Sequence, residues 1–293
     1  MKNKERQIIT IETTVNVPAE KAWEYFNDPL HIVHWNAAMY AWHSPKAVND
    51  LKPGGKFSYR MEARDGSMGF DFSGEYLKVV AHKEISFLLD DGRKMDVLFI
   101  PRDGQTLIKE SFEAEETNDP EMQRAGWQSI LSNFSRYAIN AGRMKRLNFS
   151  IRIQAPAGKV YHTMLGQETY SQWTAVFNPT SCFEGSWAKG SEIRFLGTGE
   201  DGTSGGMLSR IAENIPERYV SIEHFGIISK GERITSGPEV EAWAEGLENY
   251  IFTPVGDATL LDVQVDTGRD FTDYMQDTYP RALEVLKNIC EQE

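Results

Sequence analysis

The chain has 293 residues, 40% of them hydrophobic and 25% charged, with a formal net charge of −12. This length suits two domains of ordinary size, and the composition is that of a folded globular protein. Residues 147–293 hold 11 Lys and Arg against 22 Asp and Glu, a net of −11, so this half repels phosphate backbones and no nucleic acid is expected to bind.

No apolar run approaches the roughly 20 residues needed to cross a bilayer, and no membrane association is expected. The charged start, Met1–Gln7, lacks the apolar core of an export signal. Cys182 and Cys290 are too few for a disulfide framework or a zinc cluster. A cytoplasmic location is the expectation.

In chain order, alternating Ile9, Ile11, Thr13, Val15 and Val17 predict a half-buried strand. Pro18 ends it and suits the opening of a helix that carries Ala22, Trp23 and Phe26. The pattern returns 138 residues later: Ala155-Pro156-Ala157 matches Val17-Pro18-Ala19, Lys159 matches Lys21, Tyr161 matches Trp23, and Trp173 matches Trp35. Next, Leu51–Phe57 corresponds to Trp187–Ile193, and Phe72 onward to Gly205 onward.

Turn signals fall at Pro53-Gly54-Gly55, Asp65-Gly66, Asp91-Gly92 and Asp103-Gly104, then at Asp201-Gly202 and Gly256-Asp257. Strand-length runs between them predict an antiparallel meander. Each copy closes with an amphipathic helix. Trp127, Ile130, Leu131 and Phe134 form its apolar stripe in the first copy, and Tyr279, Ala282, Leu283 and Leu286 in the second. The expected class is therefore α+β, with one domain over residues 8–141 and its repeat over 147–291. The segment 229–246 has no counterpart in the first copy; with its Gly, Pro and lone Trp243 it reads as a loop over the sheet edge, a candidate lid.

Within the first copy, Phe57, Tyr59 and Met61 share one strand face, Phe70 and Phe72 another, and Met95, Val97 and Phe99 a third. A curved sheet with so large an apolar face must be covered, and the final helix with Trp127 and Leu131 is the natural cover. Trp35, Trp42 and Trp173 are the remaining aromatics of interest. Trp35 and Trp173 recur in register, either as core anchors for the short helices or as plugs near a cavity mouth.

The segments PAEKAWEYFNDPLHIVHW, LKPGGKFSYRMEARDG, DDGRKMDVLF and GWQSILSNFSRYA resemble the bacterial family of activator of Hsp90 ATPase homologue 1-like proteins. That family belongs to the Bet v 1-like/START (SRPBCC) superfamily, which also holds polyketide cyclases and lipid-transfer domains. The resemblance covers nearly all of residues 8–141. It is looser in the second copy, through the Pro-Ala opening, Trp173, Gly190, Glu248-Asn249-Tyr250 and the last helix. It implies two helix-grip domains, each a curved seven-stranded antiparallel sheet wrapped around a long C-terminal helix, with an apolar cavity between. The first-copy residues named above, with Trp173 in the second, are the expected lining.

The superfamily frame hosts binding, transport and catalysis alike, so fold alone does not assign a function. The first expectation is a carrier of a small hydrophobic molecule, with the first-domain cavity as the better site. An enzyme of the cyclase or hydrolase type is the alternative; its acid–base candidates are His31, His43, Asp71, Glu75 and Glu110, most of them expected on solvent faces. Arg60 either holds a carboxylate ligand or pairs with Glu62 outside the sheet. A third reading is interaction with an Hsp90-type chaperone, although the eponymous co-chaperone joins this domain to a different N-terminal domain whereas here it is duplicated.

His31 and His34 lack a third ligand at a recognised spacing, so no metal is expected. No nucleotide fingerprint or nucleophile elbow is present, and no cofactor is expected. Gly205-Gly206 sits between strands rather than opening a helix, which argues against a phosphate loop. Neither cysteine has an identifiable base.

Overall fold

The computed structural model describes residues 6–199 and 202–292. The chain divides into two compact units after Gly142. The first unit runs β1 (Ile8–Val15), α1 (Ala19–Asn27), α2 (Pro29–Trp35), β2 (Trp42–Asn49), β3 (Lys56–Ala63), β4 (Gly69–Val80), β5 (Glu84–Leu89), β6 (Lys94–Arg102), β7 (Gln105–Glu113) and α3 (Pro120–Arg143). The second runs β8 (Met144–Ile153), α4 (Ala157–Leu165), α5 (Gln167–Thr174), β9 (Cys182–Gly185), β10 (Glu192–Thr198), β11 (Ser204–Ile215), β12 (Tyr219–Ser229), β13 (Glu232–Ile234), α6 (Pro238–Glu241), β14 (Gly246–Val255), β15 (Ala258–Gly268) and α7 (Thr272–Glu291).

Both sheets are antiparallel throughout. The first has the order β1-β7-β6-β5-β4-β3-β2; the second repeats it as β8-β15-β14-β12-β11-β10-β9, with β13 added beside β12. The expected helix-grip fold is present in both copies, and the second sheet exceeds the expected seven strands by that short one. The copies share even a β-bulge, at Leu77 on β4 and at Ala212 on β11.

Local sequence accounts for most element ends. Asp28 caps α2 by accepting from the Leu30 backbone N–H at 2.8 Å, with Pro29 in the first turn where its missing N–H costs nothing. Asp119 caps α3 through the Glu121 N–H at 2.9 Å. Leu131, Phe134 and Ala138 of α3 are buried, as are Leu283, Leu286 and Cys290 of α7 at the same spacing. That stripe is what each sheet grips.

Strand register places the repeat more finely than residue matching does. Phe57 pairs with Gly74, and Ile193 with Ser209, so these positions are equivalent, as the sequence suggests. Tyr59 and Phe72 then correspond to Phe195 and Met207, and Met61 and Phe70 to Gly197 and Gly205. The alignment of Phe72 with Gly205 is therefore corrected by two residues.

The segment 229–246 is also corrected. It is not a free loop: it extends β12 beyond a bulge at Phe225, turns into β13, and returns through α6. The Arg143 side chain ties it down by donating to the Glu241 and Ala244 carbonyls. None of its residues lines the hollow described below, so it is not a lid.

Candidate functional site

The residues expected to line a first-domain cavity fall into two groups. Trp35, Phe57, Tyr59, Phe72 and Met95 surround an internal space of only about 40 Å³, room for water rather than a ligand. Phe57 fills it, with ring centroids 5.0–5.7 Å from Tyr59, Phe72, Tyr76 and Phe87. Met61, Phe70, Phe72 and Trp127 instead line an open groove of about 410 Å³ beside the start of α3. The Gln123 amide on this groove is spent on the Glu115 and Asn118 backbone, where it fastens the loop before the helix. Phe99 and Leu131 are core side chains, and Trp42 lies at the start of β2 against Phe70, lining neither space.

The acid–base candidates of this domain do not converge. Asp71 and Glu75 are exposed, and Arg60 bonds Glu62 at 2.7 Å on the outer face. His43, half-buried on β2, has its pKa pushed down to about 4 by burial and by Arg64, so it is neutral beside Glu62. His31 bonds the Tyr137 hydroxyl at 2.6 Å and His34 stacks on the same ring. Among the described residues no group of three or more His, Cys, Asp or Glu is placed to hold a metal. Glu110 departs from the expected solvent face: opposite Ile11 and Val97 on the core side of β7, it is 4% exposed, and burial pushes its pKa up to about 8.

The second domain combines space with chemistry. A hollow of about 470 Å³ opens between α5, the β10–β11 hairpin and α7, lined by Tyr170, Trp173, Phe177, Phe195, Tyr250 and Tyr279 among others. Larger first-domain side chains on the equivalent strand positions are reduced here. Met61 and Phe70 are replaced by Gly197 and Gly205, and Phe72 by Met207. A Cβ on Gly197 would stand 2.9 Å from the Asn178 side chain, so that wall tolerates no side chain without a shift.

Glu248 of β14 lines this hollow. Its Oε1 accepts from the hydroxyls of both Tyr250 and Tyr279, and its Oε2 lies 3.4 Å from His224 Nε2. Sheet geometry dictates the meeting: Glu248 pairs with Ile222 on β12, and His224 is two residues along on the same face. His224 Nδ1 lies 2.8 Å from Ser209 Oγ, directly across the β11–β12 ladder. Burial drives the Glu248 pKa up, but the hydrogen bond and charge of His224, then the two tyrosine hydroxyls, more than offset it and hold the carboxyl below its ordinary value. Burial, followed by the nearby carboxylate, pushes the Tyr250 and Tyr279 hydroxyls well above 10.

This arrangement recognises hydrogen-bond donors better than it moves protons. A carboxylate held below its ordinary pKa is a weak base, and tyrosines with raised pKa are weak acids. Ser209 is fully buried and absent from the lining, so the Ser209–His224–Glu248 series is not a nucleophilic triad. Cys182 is exposed, while Cys290 is buried with its pKa raised by burial.

Of this constellation the sequence marks only Trp173 as lining; Glu248 and Tyr250 enter through the family resemblance and Tyr279 through the stripe of the last helix, none with a site role. One signal was present: Glu248, Tyr250 and Phe252 alternate on β14, which sets a carboxylate on an otherwise apolar inward face.

The profile described as activator of Hsp90 ATPase homolog 1-like protein matches residues 16–138. An AHSA1-like protein from Aeromonas hydrophila is 45% identical, covering 46% of this chain and 94% of its own, with a TM-score of 0.45. The chain belongs to this AHSA1-like family. A protein from Cytophaga hutchinsonii is 47% identical, over 45% of this chain and 92% of its own, with a TM-score of 0.41. The di-domain ARO/CYC StfQ from the steffimycin biosynthetic pathway is 11% identical over 97% of this chain and 98% of its own, with a TM-score of 0.48. No curated protein matches significantly. The AHSA1-like profile match lies within the first domain, whereas the polar hollow lies in the second. No helix among the described residues is long and apolar enough to cross a membrane.

Proposed function

We propose that this protein binds a small hydrophobic molecule and that the second-domain hollow is its principal site. The observation that carries this reading is the pairing of about 470 Å³ of aromatic-walled space with one buried carboxylate at its wall. Ligand sites commonly have this form, an apolar concavity with few fixed polar groups that set orientation. The first-domain groove is a secondary candidate, since the Gln123 amide there is committed to its own loop. Two cysteines without a disulfide suit a cytoplasmic setting.

Native mass spectrometry of the purified full chain tests the reading. The expected result is a co-purifying molecule that is lost in Met207→Phe, which restores the first domain's bulk at the hollow's wall. A molecule retained in that variant and lost when Phe72 or Trp127 is truncated would move the site to the first domain.

A cyclase-type activity has one supporting feature, the His224–Glu248 pair beside the hollow. It requires turnover of a polyketide-like substrate that fails in His224→Gln, and turnover indifferent to that change removes it. A chaperone-accessory role rests on family kinship alone, and an Hsp90 ATPase assay decides it.

A further inference from the structure

The ligand class can be narrowed from the charge balance of the hollow, on the reading that the hollow binds a ligand at all. We propose that the second-domain hollow selects an organic cation: a hydrophobic amine whose ammonium group sits against Glu248 within a cage of aromatic rings.

Three observations converge on this. First, among the described residues Glu248 is the only Asp or Glu in the lining, and no Lys or Arg is among them. The one basic group within ion-pair distance of it, among the described residues, is His224. The His224 ring spans the two neighbouring groups, with Nδ1 2.8 Å from Ser209 Oγ and Nε2 3.4 Å from Glu248 Oε2. The Tyr250 and Tyr279 hydroxyls, both with pKa well above the ordinary value, solvate the carboxylate as neutral dipoles, which stabilise its charge without cancelling it.

Second, Glu248 retains acceptor capacity. A carboxylate offers about four lone-pair sites. The two tyrosine hydroxyls share Oε1, and among the described residues Oε2 has only the 3.4 Å contact to His224. Its side chain keeps 16% of its surface, and it lines the hollow. A donor entering the hollow therefore finds an anionic oxygen with room for one more bond.

Third, the wall is a stock of π-faces. Tyr170 stacks on Phe195 at 5.8 Å, Phe195 lies 6.3 Å from the His224 ring, and Phe177 meets Tyr279 at 5.1 Å. Such rings attract ammonium groups through their quadrupoles, most strongly where water is excluded. An anion would meet the opposite field. The Asn178 amide and the Thr174 hydroxyl, two donors on the lining, are already committed to the Thr198 and Tyr170 carbonyls. The net −11 of residues 147–293 adds a long-range attraction for cations.

Calorimetric titration of the full chain at pH 7 with three probes of one shape tests the proposal: 2-naphthylmethylammonium, 2-naphthylmethanol and 2-naphthoate. The ammonium should bind at least about tenfold more tightly than the alcohol, and the carboxylate most weakly. Glu248→Gln should reduce the ammonium preference to about threefold or less while the alcohol still binds. A wild-type ranking without an ammonium preference overturns the proposal before any variant is made, and Met207→Phe localises a positive preference should Glu248→Gln fail to fold. Equal affinity for ammonium and alcohol, or tightest binding of the carboxylate, overturns the cation proposal and leaves the ligand-binding reading standing. An ammonium preference untouched by both Glu248→Gln and Met207→Phe assigns the cation to the acidic surface and overturns the proposal. Absence of binding by all three overturns both.

Discussion

Met95 and Glu248 occupy the same position in their two sheets. Met95 pairs with Phe112 and Phe112 with Ile9; Glu248 pairs with Val265 and Val265 with Leu147. The same ladders set Leu89 against His224 and Gly74 against Ser209. One copy thus carries a methionine, a leucine and a glycine where the other carries a carboxylate, an imidazole and a hydroxyl. Met95 is 3% exposed in a packed interior, while Glu248 lines the second domain's hollow. Met95→Glu alone would bury a charge without the donors that Glu248 enjoys, so the exchange is tolerable only as a set.

Restoring bulk to the second copy should abolish ligand capacity at little structural cost. Met207→Phe extends into existing space, so the overpacking penalty of about 1–3 kcal/mol seen in filled cores should be largely avoided. The expected outcome is at least about tenfold weaker probe binding with a melting temperature within a few degrees of wild type. A large fall in melting temperature would show that the hollow closes in solution.

The two domains should answer pH in opposite senses. Glu110 in the first has its folded pKa raised to about 8 from 4.5, so the folded state holds an extra proton between these values. Its contribution is fully present below the lower value and declines by about 1.4 kcal/mol per unit as pH rises to the upper one. Glu110→Gln should flatten that decline, as read by hydrogen exchange of first-domain peptides at several pH values. A wild-type profile level from pH 5 to 8 would contradict the burial argument.

In the second domain Glu248 is held below its ordinary value, so its contribution is present above the unfolded value of 4.5 and is lost as pH falls through the folded one. Tyr279→Phe removes one donor and should raise the folded pKa. The acid unfolding midpoint of second-domain peptides should therefore move to higher pH. An unchanged midpoint would mean that the Tyr279 hydroxyl contributes nothing to holding the anion.

Trp35 and Trp173 act as anchors between paired helices. Each indole N–H donates at 3.0 Å to a carbonyl of the preceding helix, Tyr25 and Met164 respectively. They are 6% and 1% exposed, so truncation to Ala should cost about 3–5 kcal/mol in either domain by urea denaturation. Only Trp173 lines the larger hollow, so Trp173→Phe should weaken probe binding while Trp35→Phe leaves it intact. Equal loss from both would contradict a second-domain site.

The repeat, the meander, the closing helices and the α+β class were readable in the residues themselves. Each rests on local chemistry: alternation along a strand, Pro18 and Pro156 at helix openings, Asp-Gly turns, and stripes at three- and four-residue spacing. These signals need only a few neighbours in the chain. Even the inward placement of Glu110 and Glu248 follows from alternation with Ile108 and Phe112, and with Tyr250 and Phe252.

Only the tertiary structure decided which interior is full and what faces the empty space. Ser209, His224, Glu248 and Tyr279 come from three strands and a helix, and they meet through ladder register and helix docking. Volume behaves likewise: Phe57 fills the first interior by touching four rings from three strands, while Gly197 and Gly205 lie opposite each other on the wall of the second-domain hollow. A cavity is the difference between the space a backbone encloses and the side chains that reach into it. No single stretch of chain contains both quantities.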